Sequence, residues 1–148
     1  HSARHPQFNE ENLRESCGQA NIVCHWAGRH LGGKRALQFD SPHIALDEGR
    51  RGFADHMGTE IFKKAVSQFV SLAARAPTAM LCAERDPEHC HRALIADYLT
   101  LQGIRVVHLV QPGESREHLL SPQARRESAA LVYDRQVTAE LDLGKPSG

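Results

Sequence analysis

Apolar residues recur at helical spacing most clearly between Thr59 and Pro77, where Ile61, Phe62, Ala65, Val66, Phe69, Val70 and Ala73 line one face and Thr59 is placed to cap it. The same spacing returns in Leu94, Ile95, Tyr98, Leu99 and Gln102. It predicts a helix over residues 87–102, opened by Asp86-Pro87-Glu88 (a side-chain cap, a proline at the first helical position, an acid facing the dipole) and stopped by Gly103. Flanking this helix, residues 78–82 and 104–110 read as short apolar strands. A strand, a helix and a strand of these lengths make a β-α-β unit, which implies parallel strands and a right-handed crossover. The expected fold class is therefore α/β, a small, mainly parallel sheet flanked by helices.

The rest of the pattern is weaker. Residues 9–16 predict a short helix capped by Asn9 and ending near Gly18, and residues 21–25 a strand. Residues 27–58 show no sustained period and hold six glycines (Gly28, Gly32, Gly33, Gly49, Gly52, Gly58), which suggests a functional connection such as a lid. Pro112-Gly113 breaks the chain, and Ser121-Pro122 predicts a last helix running toward Tyr133. Residues 1–143 are expected to form one domain and residues 144–148 a disordered tail.

At 148 residues, a single domain buries about 68–70% of its unfolded surface and has no need of disulfides. Four cysteines, no apolar run of spanning length and nothing resembling a secretory leader or lipidation signal set the expectation of a reduced, cytoplasmic protein without a membrane partner. Eighteen basic and eighteen acidic residues cancel, so no overall field favours nucleic acid. Ten histidines are many for this length.

The chemistry concentrates in residues 81–92. Cys82, Cys90, His89, His91, Glu84, Asp86, Glu88, Arg85 and Arg92 crowd between the strand and the first turn of the helix, where free N–H groups favour a thiolate or another anion. Ligands of open α/β sheets bind beyond the carboxyl ends of strands, so the two halves of this turn are expected to share a pocket.

Cys90 in that electropositive setting reads as a nucleophile or redox thiol, with Cys82 either core packing or its partner. Glu84 is a general-base candidate or a structural partner of Arg92 or Arg85. Cys82, Glu84, Cys90 and His91 offer sulfur, oxygen and nitrogen to a metal. However, Cys-x7-Cys-His matches no structural zinc pattern and calls for a second pair such as Cys24 and His25, or His108, so no residue is assigned to a metal. For an anion, Arg92 and the helix amides can be joined by Arg4 and by the Gly28 to Lys34 loop, which is not a Walker motif. Trp26, Tyr133 and His108 read as packing residues.

Cys82-Ala83-Glu84-x-Asp86-Pro87-x-x-Cys90-His91-Arg92, then Ile95-Ala96-x-x-Leu99 and Gly103-x-x-Val106-x-His108-Leu109, resembles the signature of the domain-of-unknown-function 488 family. Ser2 to Asn9 resembles that family's basic segment ending in Pro-x-Phe-Asn, and Leu31-Gly32-Gly33 its Leu-Gly-Gly loop. The likeness covers most of residues 1–110. It implies a bacterial-type cytosolic α/β domain with a pocket at Cys82, Glu84, Cys90, His91 and Arg92. Members usually carry a further strand and helix ahead of this segment, and a sheet lacking that strand is expected either to expose an edge or to pair with a second copy as a homodimer.

Together these readings predict a cysteine-dependent hydrolase or transferase acting on a phosphorylated, nucleotide-like or nucleic-acid substrate. Cys90, His91, Glu84 and Cys82 would be catalytic, and Arg92, Arg4, Asn9, Gly32 and Gly33 would bind substrate. No motif names a cofactor. The competing expectation is a non-catalytic module holding a metal or an anion with the same residues.

Overall fold

Helix α5 (His91–Leu101) is buried on nearly every side, and the rest of the molecule is arranged around it. Ala93, Leu94, Ile95, Ala96, Asp97 and Leu99 are all buried along its length. The computed structural model describes residues 6–82, 84 and 90–135. Before α5 come a 3-10 turn (Pro6–Phe8), α1 (Glu10–Gln19), α2 (Gly28–Leu31), α3 (Glu48–His56) and α4 (Glu60–Arg75). After it come the strands β1 (Val107–Gln111), β2 (Glu114–Glu117), β3 (Ala124–Glu127) and β4 (Ala130–Tyr133).

The helix signals act as their chemistry dictates. Thr59 Oγ1 accepts the Phe62 N–H at 3.2 Å and starts α4, whose Phe62 and Val66 are buried. Gly103, at φ +82°, ends α5: its N–H reaches Thr100 O and that of Ile104 reaches Leu99 O, both at 3.0 Å. Asn21, at φ 59°, closes α1 in the same way, with Ile22 N–H on Cys17 O at 2.8 Å. Helix α1 buries no residue.

Residues 27–58 are not a lid. They supply a large part of the core, because Leu46, Phe53, Ala54 and Met57 pack with Phe62, Val66, Leu94, Ile95 and Leu99 in one cluster. Asp47 caps α3 by accepting the Arg50 N–H at 3.0 Å. Gly52 lets the chain cross α3, since a Cβ there would lie 2.5 Å from Arg35 O. Phe53 is fully buried, edge-on to Phe62 with ring centroids 5.9 Å apart, and Phe62 is in turn edge-on to Tyr98 at 5.2 Å.

The expected parallel sheet is overturned. The described strands form two separate two-stranded antiparallel sheets, β1 with β2 and β3 with β4, so the fold is mixed α and β, with no β-α-β unit among the described residues. Residues 78–82 and 21–25 join neither sheet. Pro112-Gly113 does not simply end β1 but reverses it into β2, with Gly113 at φ +82° supplying the turn conformation glycine favours. The helix expected after Ser121 is instead the β3–β4 hairpin, turned through Ser128 at φ 54°. The proposed cap at residues 86–88 lies outside the described residues, as does the tail, and α5 begins at His91 with Cys90 as its cap. Among the described residues no helix is long and apolar enough to cross a membrane.

One polar group sits inside the core. Asp97, fully buried, accepts from Tyr133 OH at 2.9 Å on one oxygen; on the other it accepts the Ser121 N–H at 2.9 Å and bonds His118 Nε2 at 2.7 Å. His118 Nδ1 then meets His108 Nε2 at 2.7 Å, which ties the β1–β2 hairpin to α5. Tyr133 also donates its N–H to His43 Nδ1 at 3.1 Å, and burial pushes the His43 imidazole below its ordinary pKa. A buried carboxylate is tolerated only when its lone pairs are occupied, and here three donors from three segments converge on it.

Removing one of those donors should be costly. Tyr133→Phe is expected to lower the unfolding free energy by about 1.5–3 kcal/mol, the range for a hydrogen bond to a charged acceptor, as measured by urea denaturation. A loss below about 0.5 kcal/mol would show that Asp97 is adequately served without the phenol.

Candidate functional site

Cys90 performs two functions at the N-terminus of α5. Its backbone is extended (φ −134°, ψ 156°), as a helix cap requires, and its Sγ accepts the Arg92 N–H at 3.5 Å in place of the usual oxygen. The sulfur is thereby aimed at the end of the helix where donors are unsatisfied. The chain returning from α4 carries Cys82 to the same place, Sγ to Sγ 3.3 Å. That separation is far beyond the about 2.05 Å of a disulfide, and both are free thiols.

His91 completes the cluster, its Nδ1 3.5 Å from Cys90 Sγ. Its ring is held from two sides. Phe53 packs against it with centroids 5.1 Å apart, and Gly33 lies so close that a Cβ there would fall 2.4 Å from Nδ1. Among the described residues, Cys82, Cys90 and His91 are the group of metal-ligating side chains that converges, with the two sulfurs and a ring nitrogen all within 4.8 Å of one another.

The electrostatics divide the two thiols. Cys90 is held well below the ordinary thiol range, chiefly because Cys82 S–H donates to it, with His91 and the Arg92 backbone and side chain adding to the effect against the opposing cost of burial. Cys82 is pushed up, first by giving that bond and then by burial. The contact between the two sulfurs therefore favours negative charge on Cys90 over Cys82.

Glu84 contributes through its backbone. Its N–H lies on the Cys82 sulfur, and its carbonyl receives the Arg92 guanidinium. Its side chain is exposed. The Arg92 Nε is buried without a partner.

The remaining predicted site residues divide. Gly33 belongs to the cluster through His91. Gly32 serves α2: its N–H bonds Gly28 O at 3.0 Å, a Cβ would sit 2.3 Å from that oxygen, and its own carbonyl accepts Arg35 Nε at 3.0 Å. Asn9 stands at the N-cap position of α1 without a side-chain capping bond, and its N–H donates to Pro6 O at 3.0 Å. Arg4 lies outside the described residues. The second ligand pair sought for a metal is not brought here, since the Cys24 thiol is bonded to Cys17 and His108 to His118.

The polar core group of Asp97, His118 and Tyr133 escaped the sequence reading. Its only trace is an acid in a helix otherwise rich in apolar residues. A hollow of about 300 Å³ beside His118, lined also by Thr100, Gly103 and Arg105, lies at the far end of α5 from Cys90. Eleven residues of helix put about 16 Å between the two ends, so this hollow does not coincide with the cluster.

No curated protein and no solved structure matches the chain. A family model does: residues 1–99, two-thirds of the 148, match the family described as "Domain of unknown function DUF488", a span that contains every residue of the cluster. The chain belongs to the DUF488 family.

Proposed function

We propose that this chain binds a thiophilic divalent cation of the Zn²⁺ type through Cys82 Sγ, Cys90 Sγ and His91 Nδ1. The observation that carries the reading is the convergence of these three atoms within 4.8 Å. In a tetrahedral site with Zn–S about 2.3 Å and Zn–N about 2.0–2.1 Å, ligand atoms stand roughly 3.4–3.8 Å apart, and the separations of 3.3 Å and 3.5 Å about Cys90 come close to that spacing. The same surroundings that hold Cys90 below the ordinary thiol range favour the deprotonated sulfur a metal needs, and binding releases the protons the two thiols still hold. Phe53 and Gly33 orient the imidazole, the task that outer-shell groups perform in metal sites.

Three protein ligands leave a fourth position for water or for an anion beside Arg92, which joins the metal reading to the expectation of an enzyme. A metal-free reading has its own support in the several donors gathered on one sulfur, the setting of an activated cysteine nucleophile. In that reading Cys90 attacks, Arg92 holds an anionic substrate of the phosphorylated or nucleotide-like class, and His91 is the acid/base group.

The metal reading expects one equivalent of Zn²⁺ or Co²⁺ per chain, with the near-ultraviolet charge-transfer absorption of a Co²⁺–thiolate bond. Both should be lost in Cys90→Ser and His91→Ala. Gly33→Ala should weaken binding by about 10–100-fold with helix content unchanged, because its methyl would displace the imidazole, whose ring atoms lie nearest to it. Uptake well below one equivalent in the unaltered chain would refute the reading. The nucleophile reading is tested on metal-free protein by the pH profile of alkylation. The rate at Cys90 should stay level from pH 8 to 5, where an ordinary thiol of pKa about 8.5 slows nearly tenfold per unit; an ordinary profile would remove it.

A further inference from the structure

The four cysteines of the chain form two couples. Cys17 and Cys24 are joined by a thiol hydrogen bond where the αL turn through Asn21 folds the chain back along α1. Cys82 and Cys90 stand 3.3 Å apart at the N-terminus of α5. The surroundings separate them. At the second couple the Arg92 N–H and the His91 ring both face a sulfur, whereas at the first the Arg14 guanidinium reaches the Cys24 carbonyl, at 3.3 Å.

We propose that Cys82 and Cys90 form an oxidation-sensitive couple whose conversion to a disulfide by a hydroperoxide-class oxidant expels the bound metal. The inference rests on the metal reading above. Two sulfurs already in contact need an approach of only about 1.2–1.3 Å to bond. Cys82 is half-buried and Cys90 buried, so the couple is reached from solvent through Cys82.

In the first step one thiolate sulfur attacks a peroxide oxygen: an S–O bond forms, the O–O bond breaks and hydroxide leaves, giving a sulfenic acid. The second sulfur then attacks the first. The S–S bond forms, the S–O bond breaks and a second hydroxide departs. Both sulfurs are oxidised by one electron each, the peroxide is reduced, and the metal leaves as the divalent cation with its own oxidation state unchanged. The step is decisive because it removes two of three ligands and leaves His91 alone.

The test loads the chain with one equivalent of Zn²⁺ and adds hydrogen peroxide in the presence of a chromophoric zinc chelator, with the crosslink mapped by mass spectrometry after peptide digestion. One zinc should appear per 82–90 disulfide formed, dithiothreitol should restore binding, and a Cys17→Ser, Cys24→Ser variant should respond like the unaltered chain. Zinc retained while the 82–90 disulfide forms would overturn the proposal. So would zinc lost with the crosslink at Cys17 and Cys24, or with Cys90 oxidised singly to the sulfinic acid. Failure to load zinc sinks the metal reading before any oxidant is added. The couple is then judged in metal-free protein by whether the 82–90 crosslink forms.

Discussion

Helix α5 has to start at a sulfur. Its first free N–H groups need an acceptor, and the Cys90 sulfur takes the Arg92 N–H at the positive end of the helix. That single interaction fixes where the Cys90 sulfur stands and which way it faces. Everything else in the cluster is built on it. His91 follows on the first turn, Arg92 supplies the capping N–H and reaches back to the Glu84 carbonyl, and Cys82 shares its proton with the sulfur already in place. The cap and the cluster share Cys90, so the helix start holds Cys90 and His91 while Cys82 comes from the irregular segment before it.

The other end of the same constraint is Asp97. A helix buried nearly all round leaves no water for a carboxylate in its middle, and the three donors that reach it come from β4, from Ser121 and from His118. Both short sheets are thereby attached to α5 through one side chain. The apolar cluster of α3, α4 and α5 holds the helix along its length. Phe53 belongs to that cluster and also touches His91, which links core packing directly to the orientation of a site residue.

How far the sequence foretold this depends on whether local signals sufficed. α4 was legible because a capping threonine, an unbroken apolar face and a terminal proline agree, and the end of α5 because only glycine readily adopts φ +82°. The sheets were not. The apolar alternation of β1 suits a parallel or an antiparallel strand equally, and it was the Pro112-Gly113 turn, read only as a break, that decided the pairing. Ser121-Pro122 imitates a helix start, while the alternation that makes β3 and β4 is only four residues long on each side. Residues 27–58 concealed core residues because α3 spans less than three turns and its one apolar pair, Phe53 and Ala54, is flanked by glycines and charges that show no period. The family signature stood out in the composition of residues 82–92. A metal was left unassigned because Cys-x7-Cys-His lacks a second pair, and three-dimensional convergence of three ligands leaves no spacing rule to recognise.

The proposed metal site has Cys82, Cys90 and His91 holding one ion at the α5 cap. X-ray absorption at the zinc edge of the loaded chain tests this most directly. The expected spectrum has two sulfur neighbours at about 2.3 Å and at least one imidazole nitrogen at about 2.0–2.1 Å, with one sulfur lost in Cys90→Ser. A first shell of oxygen and nitrogen only, unchanged by that substitution, would contradict it.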